Sequence, residues 1–208
     1  QVEARFTCID GRSIMLHCPA EAYAFVYSDE INMESVGVYL KEVLATHLPE
    51  NVENITLHLR EEVINSPYYH YTHGLKKHDG NCQRIAHGHR SRIDIILDGK
   101  VCVESQQYWA DRWADIYIAT REDEIAYSDR KLKGQVSNEA DYYCFAYESS
   151  QGYFELLIPK SDCEVIETDS TVECLAQYLL EEQKKRTPDG VCQVIAYEGV
   201  GKGATVKG

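Results

Sequence analysis

Five of the eight histidines of this 208-residue chain fall between positions 70 and 89, and none follows His89. The segment reads Tyr69-His70-Tyr71-Thr72-His73, then a loop with Asn81-Cys82, then His87-Gly88-His89 leading into Arg92–Leu97. Ile93, Ile95 and Leu97 alternate as one face of a strand would. Two histidines at i and i+2 on that strand project from the same face. Neutral imidazole is a good zinc ligand, and three protein ligands with an open fourth position are the catalytic arrangement. A third ligand should come from a neighbouring strand. His70 and His73 both qualify, in the extended aromatic stretch before the loop. Cys82, close to this cluster and to Arg84, has the setting in which a thiolate serves as base or nucleophile. A closed structural zinc site, with Cys82 as fourth ligand, is the competing arrangement.

Lys76, Lys77, Arg84, Arg90 and Arg92 crowd the same segment, against Asp79 alone before Asp94. The whole chain is acidic, with 34 Asp and Glu against 21 Lys and Arg and a formal charge of −13. A basic pocket in an acidic protein suits a small anionic substrate such as a phosphate ester and disfavours nucleic acid. The eight cysteines form no CxxC pair and are too sparse for a disulfide scaffold, so a reducing, cytoplasmic compartment is expected. No apolar run approaches the ~18 residues of a membrane span, and no leader pattern is visible.

The elements that must position these groups show an internal repeat. Glu3–Cys8 echoes Glu139–Cys144, and Met33–Leu40 echoes Val172–Leu179. Each copy reads as two strands (4–9 and 12–18; 140–148 and 152–158), a helix (33–47; 171–186) and a closing strand (53–60; 191–198). Ser170-x-x-Glu173 has the pattern of a capping box at the start of the second helix. Residues 66–208 then form one complete unit, and residues 1–65 the C-terminal part of another. On this reading Gln1 falls inside a domain, and a longer native chain completes the first unit.

The order histidine, Asn-Cys, Arg, His-Gly-His, strand resembles the opening of the 6-pyruvoyl-tetrahydropterin synthase family, which includes the 6-carboxy-tetrahydropterin synthases of queuosine biosynthesis. The resemblance selects His73, with His87 and His89, as the zinc ligands. It extends to Ser170-Thr171-Val172-Glu173-Cys174-Leu175-Ala176, similar to a segment opening the family's second helix. Val194–Gly199 looks like the family's last strand, which ends in a pterin-holding glutamate, here Glu198. The resemblance implies an α+β tunnelling fold: an antiparallel sheet with helices on one face, present here as one partial and one complete unit. It further implies a homo-oligomer with sites at subunit interfaces. The implied activity is a zinc-dependent lyase acting on 7,8-dihydroneopterin triphosphate, with Cys82 as general base and Thr171, Glu173 and Glu198 contacting substrate. Family members carry an Asp-His proton relay after the first helix; residues 104–138 contain no histidine. Either another chain, the missing N-terminal part, or a different acid such as Asp111, Asp115 or Tyr117 supplies the relay, or the protein binds zinc and pterin without the usual catalysis. The paired strands at 140–158 stand where a helix is expected.

Overall fold

The computed structural model describes residues 1–190 and 192–208. Its elements in chain order are β1 (Val2–Thr7), β2 (Ser13–Cys18), α1 (Met33–Ala45), β3 (Tyr68–His73), β4 (His87–Leu97), β5 (Lys100–Val101), α2 (Val103–Arg112), β6 (Ile116–Thr120), β7 (Glu124–Ile125), β8 (Tyr142–Ser149), β9 (Gly152–Pro159), β10 (Cys163–Ile166), α3 (Val172–Arg186), β11 (Cys192–Glu198) and β12 (Lys202–Lys207). Two compact units result, one of residues 1–22 and 64–208, the other of residues 23–63.

In the first unit the larger sheet has the order β10-β6-β3-β4-β11-β12, with β5 beside β4. It is antiparallel except where β6 runs parallel to both β3 and β10. Alternation sends Tyr69, Tyr71, Ile93, Ile95, Val194 and Ala196 to one face. There they pack with Trp109 and Trp113 from α2 and Leu175, Ala176 and Leu179 from α3, all buried. Both helices therefore cover the same face, as expected. The buried Trp109 indole donates to Gln183 Oε1 at 3.0 Å, and Gln183 Nε2 donates to Ser105 Oγ at 3.2 Å, so the polar atoms that join α2 to α3 are paired. The helix placed after the second strand is thus present as α2, and the hairpin β8–β9 is an addition rather than a replacement.

That hairpin builds a second sheet, ordered β1-β2-β9-β8-β7. β2 and β9 pair antiparallel with Leu16 opposite Leu156, so the two hairpins seen as copies in the sequence join edge to edge. Residues 1–22 share a unit with 64–208, because a hairpin's backbone groups are best satisfied by neighbouring strands.

In the unit of residues 23–63, the Asn32 side chain accepts from the backbone N–H of Glu34 and Ser35, each at 3.0 Å, and caps α1. No residue of α1 is buried. The strand expected over 53–60 does not form; among the described residues no ladder pairs with this stretch. Val191, the expected start of the last strand, lies outside the described residues. No helix of the described residues is long and apolar enough to cross a membrane.

Candidate metal centre and its pocket

Antiparallel pairing of β3 with β4 sets Tyr71 opposite His89 and His73 opposite His87. Odd-numbered residues of both strands therefore share the face that packs on the helices. His70 falls on the other face, exposed, with its Nδ1 3.1 Å from Asp115 Oδ1. Register alone thus separates His73 from His70. Ligand atoms of His73, His87 and His89 all lie within 4.8 Å of one another.

The outer nitrogens of two of these rings are already committed. His73 Nδ1 lies 2.8 Å from Ser170 Oγ, and His87 Nδ1 donates to the Arg84 carbonyl at 2.9 Å. Their Nε2 atoms are buried and have no hydrogen-bond partner. An unmatched buried acceptor costs about 1–3 kcal/mol, and two facing each other are what a bound cation resolves. Fixing one ring nitrogen to orient the other is also how metal-binding histidines are held. Burial, reinforced by the neighbouring imidazoles, pushes His73 down to about 2. Burial likewise lowers His87 and His89, so all three rings present neutral lone pairs. The donor set fits zinc.

The histidines open into a small pocket of about 110 Å³ lined by His73, His78, Cys82, Thr171, Glu173, Glu198 and Lys202 among others. Cys82 lies on a short turn, Gly80–Gln83, and is not one of the three clustered ligands. Glu198, at the end of β11, has one carboxylate oxygen 4.0 Å from His89 Nε2 and the other accepting from Lys202 Nζ at 2.8 Å. The Lys202 ammonium holds Glu198 below the usual carboxylate range. A larger concavity of about 580 Å³, bordered by Arg12, Tyr142 and Lys160, contains none of these groups.

A family model described as 6-pyruvoyl tetrahydropterin synthase matches residues 62–208, most of the chain. The chain belongs to the 6-pyruvoyl tetrahydropterin synthase family. Membership supports a lyase of the tetrahydropterin synthase type acting in pterin metabolism. Solved structures that match the chain include a catalytic-residue mutant of the Plasmodium vivax 6-pyruvoyltetrahydropterin synthase, with 20% identity over 70% of this chain and 94% of that one and a TM-score of 0.47. They also include the Plasmodium falciparum 6-pyruvoyl tetrahydropterin synthase, with 16% identity, the same coverage and a TM-score of 0.47. No curated protein matches the chain.

Several expectations for this tetrahydropterin synthase relative need correction. The cap of α3 is Thr171, whose hydroxyl accepts from Cys174 N at 3.4 Å. Ser170, one residue earlier, is spent on His73 instead, so Ser170 and Glu173 form no capping box and Glu173 is left to line the pocket. The basic residues do not surround the histidines. Lys76 pairs with Glu122 and Asp123, Lys77 with Glu122 and Asp169, and Arg92 with Asp94. Arg84 donates to the Glu21 carbonyl and Arg90 lies over the Tyr68 ring. The cation among the pocket's lining residues is Lys202. Asp111 and Asp115 are exposed, and the Tyr117 hydroxyl is buried and donates to the Ile85 carbonyl. None of the three lines the pocket. Sequence reasoning overlooked Ser170 and His78 as members of the site. A histidine on a charged loop carries no periodic signal, and Ser170 resembled a cap.

Proposed function

We propose that this chain is a zinc-dependent lyase acting on 7,8-dihydroneopterin triphosphate, of the 6-carboxy- or 6-pyruvoyl-tetrahydropterin synthase kind, serving queuosine-type biosynthesis in the cytoplasm. The observation that carries the reading is the three-histidine cluster with two buried, unpartnered Nε2 atoms. His73, His87 and His89 would hold the zinc, oriented by Ser170 and the Arg84 carbonyl. Zinc bound there lowers the pKa of a substrate hydroxyl and stabilises negative charge that develops beside it. Cys82 is the general base, taking a proton from the substrate side chain. Glu198 is kept ionised by Lys202 and faces the adjacent N–H donors of the pterin edge, where a carboxylate makes a bidentate contact. Glu173 and Thr171 border the same space from the start of α3.

At about 110 Å³ the pocket admits the reacting side chain but not a whole pterin triphosphate; ligand sites of that scale are several times larger. We take the remaining walls to come from another subunit of a homo-oligomer. We read residues 1–65 as the C-terminal part of a first tunnelling-fold unit, on the internal repeat by which Glu3–Cys8 echoes Glu139–Cys144 and Met33–Leu40 echoes Val172–Leu179.

A second reading is a zinc- and pterin-binding protein with lost or altered catalysis, favoured by the absence of Asp111, Asp115 and Tyr117 from the pocket. Incubating the zinc-loaded protein with 7,8-dihydroneopterin triphosphate separates the two. Turnover to a carboxy- or pyruvoyl-pterin supports the lyase, and pterin binding without turnover supports the second reading.

A further inference from the structure

The pocket needs one group to remove a proton and another to return one, and the three residues expected to replace the family's relay lie elsewhere. Beyond His73, its titratable lining groups are Tyr71, His78, Cys82, Glu173, Glu198 and Lys202; burial pushes the Tyr71 hydroxyl far above its ordinary value. Glu198 and Lys202 are paired with each other, and Cys82 is the base. His78 is the one imidazole of this wall outside the metal cluster.

The loop that carries His78 and Cys82 is tied to itself and to its surroundings. Leu75 N donates to the Cys82 carbonyl at 2.9 Å, and His78 N donates to the Leu75 carbonyl at 3.0 Å. The centre of the tie is Gln83, 3% exposed. Its Nε2 donates to the His78 carbonyl. Its Oε1 accepts from Ser150 Oγ at 3.0 Å and from Gln151 N at 3.2 Å, both in the turn of the β8–β9 hairpin. Tyr147 of β8 donates its hydroxyl to the Gln83 carbonyl at 2.7 Å, and Gln151 Nε2 donates to the Gly80 carbonyl at 2.7 Å. One buried amide thus satisfies both its ends by joining the His78 loop to the added hairpin.

We propose that His78 is a second proton-transfer residue of this pocket, and that Gln83 is the positioning residue that pins its loop to the β8–β9 hairpin. The inference rests on the pterin-lyase reading. Cys82 thiolate takes a proton from the substrate side chain and the electron pair stays on the substrate. The His78 imidazolium returns a proton to the carbon that ends with that pair. Exchange with water restores the thiolate and the imidazolium, so the cycle is proton-neutral.

Four variants test it: His78→Gln, Gln83→Leu, Gln83→Glu and Tyr147→Phe. With dihydroneopterin triphosphate, His78→Gln lowers kcat by at least about 100-fold, within the range typical of general acid–base groups. It leaves KM within threefold and zinc content unchanged; kcat within threefold of the unaltered protein overturns the role of His78. An arm independent of turnover follows the alkylation of Cys82 by iodoacetamide against pH, read by mass spectrometry of its peptide. His78 and Cys82 line the same pocket, so His78→Gln displaces this profile. Superimposable profiles overturn the proposal whether or not the protein turns over pterin. Gln83→Leu and Gln83→Glu, which cannot donate to the His78 carbonyl, and Tyr147→Phe speed Cys82 alkylation at least fivefold with zinc retained. Unchanged alkylation overturns the positioning role. Absence of turnover in the unaltered protein counts against the lyase reading itself.

Discussion

Replacing Gly74 with alanine places a methyl group where the chain leaves β3 and passes under the added hairpin. A Cβ at Gly74 meets the Tyr147 hydroxyl at less than contact distance, lies 2.7 Å from Ile85 Cα and lies 3.1 Å from Tyr147 Cζ. The tyrosine ring has room to yield only by giving up its hydroxyl's bond to the Gln83 carbonyl. The Ile85 contact is backbone and yields less. Overpacking of this kind costs about 1–3 kcal/mol, and stranding the Gln83 carbonyl adds about 1–2 kcal/mol. Removing a glycine from the unfolded chain returns about 0.4–1 kcal/mol. The net expectation for Gly74→Ala is a loss of about 1–4.5 kcal/mol, read from the midpoint of urea unfolding at constant slope. Tyr147→Phe removes the clashing oxygen. In the double variant the two losses should therefore sum to about 1 kcal/mol less than additivity. A Gly74→Ala protein as stable as the parent, or strictly additive losses, would refute the packing described around Gly74.

Other predictions concern the site. Ser170→Ala keeps the fold but weakens zinc affinity about 10–100-fold, as loss of a group orienting a ligand does; competition with a chromophoric chelator measures this. Cys82→Ala lowers turnover about 10²–10⁴-fold without loss of zinc, and a fully active variant rules out Cys82 as the base. Without metal, stability falls as pH is lowered. Burial pushes the His73 imidazole down to about 2 in the folded protein, from an ordinary value of 6.5. Between those values the unfolded chain binds the extra proton, and stability declines by about 1.4 kcal/mol per pH unit below about 6.5. Urea midpoints of chelator-treated protein from pH 7 to pH 5 report the slope, and a flat profile contradicts the burial of His73.

Much of the site was legible because its signals are local. Spacing of i and i+2 put His87 and His89 on one face, but spacing left His70 and His73 both open; the family resemblance selected His73, and the register of β3 on β4 agrees with it. Glu198 stood out only through the resemblance to the family's last strand, since a glutamate at a strand end carries no signal of its own. Both hairpins and the two long helices were readable from alternation, helical stripes and turns. Long-range pairing was not: nothing local in Met15–His17 announces that it pairs with Glu155–Leu157, and that pairing decides where the first 22 residues belong. The stretch 53–60 has strand-like composition yet forms no strand, because composition supplies side chains but not a partner for the backbone. The basic residues at 76–92 were misplaced for a related reason. Their counter-charges Glu122, Asp123 and Asp169 are distant in sequence and draw Lys76 and Lys77 away from the pocket.

The central claim is an open, catalytic zinc site formed by three histidines. X-ray absorption spectroscopy of the zinc-loaded protein tests it most directly. The account predicts one zinc per chain with three imidazole nitrogens at about 2.0–2.1 Å and a remaining light-atom ligand from solvent. A sulfur at about 2.3 Å, which only a coordinating cysteine such as Cys82 supplies, would make the site closed and structural and would contradict the account.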